Sequence, residues 1–282
     1  MKRLIKRTRR IAHPNIAIMG SIDCRICGAK DLFPIRYLYG AKSNTDVPVY
    51  NCNRCKSYFT LPTEYRMTLS NEWADGVRYF LAREKESRNW AKAVFSTLYG
   101  KGLSEGKTFL DIGCGIGWSL TEAEAIGFQA YGIEPLKEVS RYAQETFRLR
   151  VLNEYFSSAL FDENYFDFIM TNQVLEHVYE PKQMFLDSVR LLKVGGTLLI
   201  GVPPVDWLRL GLDRMKISKS SRVNVFYDPE DHVNYFSVSS IKTLAQNSNV
   251  RFLGRFHVNR AKGWLAGLLG LSTGFFLFQR VA

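Results

Sequence analysis

Four of the five cysteines fall into two Cys-x-x-Cys pairs, Cys24-Arg25-Ile26-Cys27 and Cys52-Asn53-Arg54-Cys55, with 24 residues between them. Thiolates are soft ligands, and two such knuckles converging on one ion make the closed tetrahedral site of a structural Zn²⁺. Unliganded or redox-active thiols are the competing reading. Four sulfurs leave no open coordination position, so the ion's work is folding, and a segment of about 40 residues has too little core to fold without such help. Gly28 suits the left-handed turn after the first knuckle, whereas Lys56 departs from that pattern in the second. The opening Met1-Lys2-Arg3-Leu4-Ile5-Lys6-Arg7 has no apolar run behind it, so no export signal is expected. The cysteines therefore read as metal ligands in a reducing compartment rather than as disulfides.

A second constellation lies in mid-chain. Phe109-Leu110-Asp111-Ile112-Gly113-Cys114-Gly115-Ile116-Gly117 is an apolar strand running into a glycine-rich turn, where a backbone without Cβ atoms lets a ligand approach closely. The spacing is G-x-G-x-G. Trp118 stands where a dinucleotide fingerprint has its third small residue, and Asp111 would repel a pyrophosphate. Glu134 follows 21 residues after Gly113 at the end of the next apolar run, placed to accept hydrogen bonds from both hydroxyls of a ribose. A nucleoside that needs no pyrophosphate and carries an amino group welcomes such acids, and S-adenosylmethionine meets both conditions. Cys114, inside the loop, reads as a small packed residue rather than a nucleophile.

To hold these residues, the chain from Lys107 onward must alternate buried strands with helices. Its apolar runs predict strands at 107–112, 130–133, 151–152, 166–171 and 196–202. Helices are predicted at 118–126, 135–147, 181–192 and 236–246, and the runs 251–258 and 275–281 are candidates to finish the sheet. This is an α/β pattern, a Rossmann-like, doubly wound, mainly parallel seven-stranded sheet with a small zinc-ribbon-like module in front of it. The division predicted is a basic tail (1–20), the zinc-ribbon-like module (21–62), a helical connector (63–105) and the α/β domain (106–282). In the connector, Trp73, Val77, Phe80 and Leu81 and then Trp90, Val94 and Leu98 recur at helical spacing.

Composition sets the outer bounds. With 46% hydrophobic and 23% charged residues, the 282-residue chain is neither disordered nor a polytopic membrane protein. Its net charge of +11 comes from its ends, because residues 1–10 and 242–282 each carry six cations and no acid. The remainder, 26 basic against 27 acidic, is near neutral, which weighs against a surface built to grip nucleic acid. No run of about 18 apolar residues occurs, so no membrane span is expected. The uncharged stretch Gly263–Gln279, opening with Trp264, reads as helix, turn and final strand packed on the sheet. Contact with a membrane surface is the alternative, one that would suit the basic tail.

The chain resembles the class I S-adenosylmethionine-dependent methyltransferases in four motifs that occur in order: D-I-G-C-G-I-G (Asp111–Gly117), G-I-E-P (Gly132–Pro135), F-D-F-I-M-T-N-Q-V-L-E-H-V (Phe166–Val178) and L-L-K-V-G-G-T-L-L-I-G-V-P (Leu191–Pro203). With Cys24–Cys55 in front, it is similar to a bacterial branch often linked to modification of sugars and surface glycans. The resemblance covers about residues 21–260, leaving out the basic tail and the last 20 residues, and implies that the α/β domain is the methyltransferase domain. It implies that Asp111, Gly113, Gly115 and Gly117 line the methionine part of S-adenosylmethionine and that Glu134 holds its ribose. Asn172 and Gln173 would face the sulfonium, with ordinary capping as the plainer alternative. Tyr155 or Phe156 would lie near the adenine.

Methyl transfer from a sulfonium is an in-line displacement, and a base is needed only where the acceptor must lose a proton. His177 and His232 are the candidates, both able to reach the cofactor mouth. For His177 a capping or lid role competes, since Leu-Glu-His is widespread in the resembled family. His13 and His257 read as structural. The insertion 203–231 interleaves Trp207, Arg209, Arg214, Lys216, Lys219, Arg222 and Tyr227, either as a lid for an anionic acceptor or as a solvated loop. The function expected is methyl transfer to a small-molecule or glycan acceptor, with nucleotide- or lipid-linked sugars included, in the cytoplasm, with a peripheral place at the inner face of the membrane as the alternative. RNA modification, or a non-catalytic binding module on a nucleotide-binding scaffold, is the alternative.

Overall fold

The computed structural model describes residues 22–40, 45–61, 76–99, 104–203, 231–256 and 274–282. The basic tail with His13, the first part of the connector with Trp73, the insertion 204–230, His257 and Trp264 lie outside the described residues.

Three antiparallel strands follow the first knuckle: β1 (Pro34–Gly40), β2 (Thr45–Cys52) and β3 (Ser57–Thr60). The connector holds two helices, α1 (Gly76–Leu81) and α2 (Glu84–Leu98), rather than one continuous pattern. The turn between them is closed by Ala82 N donating to Arg78 O and Arg83 N to Phe80 O. Phe95 of α2 packs at 5.2 Å from Phe109 and 5.6 Å from Phe128, fixing this helix against one face of the main sheet.

That sheet has seven strands. β4 (Thr108–Ile112), β5 (Gln129–Ile133), β6 (Val151–Leu152), β7 (Phe166–Asn172) and β8 (Leu192–Val202) run parallel in the order β8-β7-β4-β5-β6. Every residue of β4 is buried, as expected of a parallel strand covered on both faces. The connecting helices are α3 (Trp118–Glu124), α4 (Lys137–Phe147) and α5 (Pro181–Leu191), the last opening on a proline whose missing N–H costs nothing there. Strand β8 starts four residues earlier than the apolar run suggests. Its pairing jumps from Phe166↔Leu192 to Phe168↔Thr197, so residues 193–196 form a bulge that the sequence pattern reads as loop.

The chain winds outward from β4 to β6 and returns to β7 on the other side of β4. Its carboxyl-end crevice therefore lies between β4 and β7, the topological switch point at which α/β sheets bind ligands.

Four further elements follow among the described residues. β9 (Asn234–Tyr235) and α6 (Val238–Leu244) follow the insertion, and β10 (Val250–Phe256) and β11 (Gly274–Arg280) close the sheet in the order β10-β11-β8, with β11 antiparallel to both neighbours. Ser237 and Ser240 form a reciprocal capping box at the start of α6. The aromatic run Phe275, Phe276 and Phe278 belongs to β11, where Phe276 and Phe278 are fully buried and Phe275 stacks on Trp90. The run thus finishes the sheet as the final strand expected at 275–281, while residues 263–273, the rest of the stretch for which membrane contact was the alternative, lie outside the described residues. Among the described residues no helix is long and apolar enough to cross a membrane.

The N-terminal sheet does not end at β3. β9 adds to it through Tyr58↔Tyr235 and Phe59↔Asn234, giving the order β1-β2-β3-β9. Cys24, Ile26, Tyr50 and Phe59 also share a buried cluster with Ile112, Leu175 and Phe236, so the cysteine-bearing segment and the α/β sheet have one continuous core.

Candidate functional site

Gly113, Gly115 and Gly117 all adopt positive φ, bending the chain sharply between β4 and α3. At Gly115 the need is steric as well as conformational. An added Cβ would lie 2.6 Å from a ring carbon of Phe80, the α1 residue that covers the loop. Trp118 Nε1 donates to the carbonyl of Phe80 at 3.1 Å and holds α1 over the turn. Gly113 N and Cys114 N donate to the Ile133 carbonyl at 2.8 and 3.1 Å, which anchors the loop to the end of β5. Cys114 itself is buried, consistent with a packing role, and burial pushes its thiol up beyond the range of a nucleophile.

Two carboxyl groups flank this turn, and each is only 5% exposed. Asp111 accepts a short hydrogen bond from Ser119 Oγ. Burial pushes its carboxyl up to about 7, opposed by Ser119 and reinforced by the nearby charge of Glu134. The oxygens of Glu134 accept from Gly115 N at 3.0 Å and Leu136 N at 2.9 Å. Burial raises its titration too, and those two N–H groups hold it back. Acids kept out of water in this way favour a cation, which would draw both back to the ionised form. Beside them Asn153 Nδ2 donates to the Glu134 and Pro135 carbonyls and ties the ends of β5 and β6 together. The ring of Tyr155 is 77% exposed, whereas Phe156 packs against the core.

On the other wall of the crevice, Asn172 ends β7 and its buried Oδ1 has no hydrogen-bond partner among the described residues. Gln173 takes positive φ and its N donates to the Gly201 carbonyl at 2.8 Å. No helix starts at either residue, because α5 begins at Pro181 after Glu180. The turn that follows carries Val174, which occupies the space a Cβ on Gly113 would need, and His177, whose N donates to the Val174 carbonyl at 2.8 Å.

His177 and His232, 55 residues apart in sequence, meet with ring centroids 4.7 Å apart. Their two segments are zipped together. His177 Nδ1 lies 2.7 Å from the Asp231 carbonyl, Val233 N and Asn234 N both donate to the Glu176 carbonyl, and Asn234 Nδ2 donates to the carbonyls of Leu175 and Val178. A carbonyl only accepts, so Nδ1 of His177 carries the proton and its lone pair sits on Nε2. Glu176, between Leu175 and His177, is 1% exposed, and neither of its carboxylate oxygens has a hydrogen-bond partner among the described residues. Burial pushes this carboxyl up to about 8. Glu176 lies within the Phe166–Val178 motif without an assigned role, and Asn234 carries no sequence signal of its own. A charge set in the run Val174-Leu175-Glu176 was the available signal.

The four cysteines converge, with all four Sγ within 4.8 Å of one another, Cys24 and Cys55 at 3.6 Å and Cys27 and Cys52 at 3.4 Å. A tetrahedral Zn²⁺ with Zn–S bonds near 2.3 Å needs sulfurs about 3.8 Å apart, so the cluster fits a four-thiolate ion with only small adjustment. The knuckles match in their backbone. Gly28 N donates to the Cys24 carbonyl and Lys56 N to the Cys52 carbonyl, and Lys56 adopts a φ of 61° beside 68° for Gly28. Lys56 thus takes the left-handed turn that its residue type disfavours. The knuckle also reaches the histidine turn. Arg25 lies over the Tyr179 ring at 4.0 Å and donates to the Thr60 carbonyl, while Thr60 N donates to the Val233 carbonyl.

The family described as a methyltransferase domain matches residues 65–253. The chain is 25% identical over 163 residues to a sterol 24-C-methyltransferase of Pneumocystis carinii, covering 52% of this chain and 43% of that protein. It is 31% identical over 111 residues to a ubiquinone biosynthesis O-methyltransferase of Maricaulis maris, covering 36% and 42%. The chain thus spans less than half the length of these curated relatives. Among solved structures, the 1,6-didemethyltoxoflavin-N1-methyltransferase of Burkholderia thailandensis, with 1,6-didemethyltoxoflavin and S-adenosylhomocysteine bound, superposes with a TM-score of 0.56 at 15% identity, covering 88% of this chain and all of that one. That likeness confirms the Rossmann-like fold.

Proposed function

The chain belongs to the methyltransferase-domain family, and we propose that it moves a methyl group from S-adenosylmethionine to a small-molecule or glycan acceptor. The observation that carries the cofactor assignment is the glycine turn set between two buried carboxyl groups, Asp111 and Glu134, at the switch-point crevice. Glu134 faces the ribose hydroxyls, Asp111 with the glycine backbone receives the methionine portion, and Asn172 and Gln173 line the side toward the sulfonium. The orphaned Oδ1 of Asn172 is the kind of buried acceptor a bound ligand satisfies. Bound there, S-adenosylmethionine supplies the electrophilic methyl group.

The acceptor enters beside His177 and His232, which bind its polar group and lower the cost of losing its proton. Their joint placement in one zipped turn supports this role. The curated relatives are named for a sterol and for ubiquinone biosynthesis, and this favours a small molecule over RNA. Residues 106–282 act as the catalytic unit and residues 21–62 as a module folded on a structural Zn²⁺ held by Cys24, Cys27, Cys52 and Cys55. The test is incubation of the full chain with methyl-labelled S-adenosylmethionine and a fractionated lysate. Label is expected in a small-molecule or glycan fraction, and label confined to RNA overturns the acceptor assignment.

A further inference from the structure

We infer that Glu176, His177 and His232 form a second metal site, for a divalent first-row transition ion, at the acceptor mouth and separate from the four cysteines. One ligand atom from each residue lies within 4.8 Å of the other two. Three ligands at about 2.0–2.2 Å from one ion sit about 3–3.5 Å apart, so the triad closes on an ion by side-chain rotations of about an ångström.

Three features of the cluster point to a metal rather than to chance proximity. Glu176 is buried with both carboxylate oxygens unpartnered among the described residues, and an unpaired buried acid of this kind is costly unless a cation satisfies it. His177 donates Nδ1–H to the Asp231 carbonyl at 2.7 Å, the kind of outer-shell bond that fixes the tautomer of metal-binding imidazoles. Glu176 and His232 are locked in register by the Val233 and Asn234 N–H groups, both on the Glu176 carbonyl, so the site is held by backbone as well as by side chains. Two imidazoles and one carboxylate suit Zn²⁺, Co²⁺, Mn²⁺ or Fe²⁺ and disfavour Mg²⁺, which prefers oxygen ligands and retained water. Three protein ligands leave positions open, unlike the closed four-cysteine site.

The consequence for chemistry rests on the reading of this mouth as the acceptor site. An acceptor hydroxyl on the open position loses its proton to water more readily, and its oxygen then forms the C–O bond as the C–S bond breaks with the electron pair left on sulfur. The existence of the site does not depend on that reading.

The experiment uses the full chain purified with zinc and dialysed against excess Co²⁺. Bound metals are counted by mass spectrometry, absorption spectra are recorded, and S-adenosylmethionine binding is measured by calorimetry on the same samples. The expected result is one zinc retained per chain and one cobalt gained without sulfur-to-cobalt charge-transfer bands. In Glu176→Gln and His232→Ala the cobalt affinity should fall more than about tenfold while zinc and S-adenosylmethionine binding persist. Glu176→Gln keeps the shape of the buried side chain, so loss of cobalt there with cofactor binding intact is not a folding artefact. No cobalt on the wild type at full zinc occupancy, or cobalt binding unchanged in both variants, overturns the inference. Absence of S-adenosylmethionine binding alone counts instead against the cofactor assignment.

Discussion

Cofactor affinity should depend on pH through Asp111. In the free protein, burial lifts this carboxyl from 3.8 to about 7, with the charge of Glu134 adding to the shift and Ser119 opposing it. The group is therefore protonated in the folded chain over a pH range where the unfolded chain has lost the proton. The sign for stability follows: folding stability is greatest on the acid side, falls as pH rises from about 4 to about 7 and then levels off. Binding has the opposite sign. A cationic ligand requires the ionised carboxylate, so below pH 7 each bound S-adenosylmethionine must displace a proton. Affinity should fall about tenfold, or about 1.4 kcal/mol, for each pH unit below about 7 and be flat above about 8. Glu134, also raised, adds in the same direction. Calorimetry in two buffers of different ionisation enthalpy reads both the slope and the proton released. Asp111→Asn should bind weakly at every pH with the slope reduced. A wild-type affinity that is flat between about pH 5.5 and 8, with no proton released, rules out Asp111 as a counter-charge to the cofactor.

Gly115→Val places a side chain against the Phe80 ring and strains the left-handed turn, so S-adenosylmethionine binding should be abolished and α1 displaced, read by calorimetry and by protease sensitivity near residue 80. Lys56→Gly relieves a left-handed lysine and should stabilise the chain by up to about 1 kcal/mol in thermal unfolding; a lower Tm contradicts this. Cys24→Ser should lose the zinc, and because β3 pairs with β9 next to His232 it should lower methyl transfer more than S-adenosylmethionine affinity. Equal losses in the two assays, or none, would remove the link between the module and the histidines.

What the sequence disclosed follows from how each element is stabilised. Strands β4, β5 and β7 are short apolar runs bounded by glycine or polar turns, because parallel strands buried on both faces need no alternation, and this made their bounds legible to within a residue or two. The glycine turn and Glu134 were legible because ligand approach and strand-end placement constrain residue type and spacing. The pairing of β9 with β3 was not, since a two-residue strand has no period to detect and its partner lies about 175 residues away. Lys56 shows the limit from the other side. Its backbone matches that of Gly28, yet its residue type argued against the turn, because closing the cysteine knuckle, with Lys56 N donating to the Cys52 carbonyl, outweighs a local preference of about 1–2 kcal/mol. The aromatics of β11 were legible as a final strand, yet a membrane contact stayed open as the alternative, because a short uncharged run has the same composition whether it faces lipid or a neighbouring strand. Only the order β10-β11-β8 decides between them.

If S-adenosylmethionine sits in the crevice with its ribose on Glu134, calorimetric titration of the wild type against Glu134→Ala reads that contact. One S-adenosylmethionine per wild-type chain is expected, with binding weaker by about 1–3 kcal/mol in the variant, from loss of charge-assisted hydrogen bonds. Equal affinity of the two proteins, or a wild type that binds NAD in place of S-adenosylmethionine, would contradict that placement.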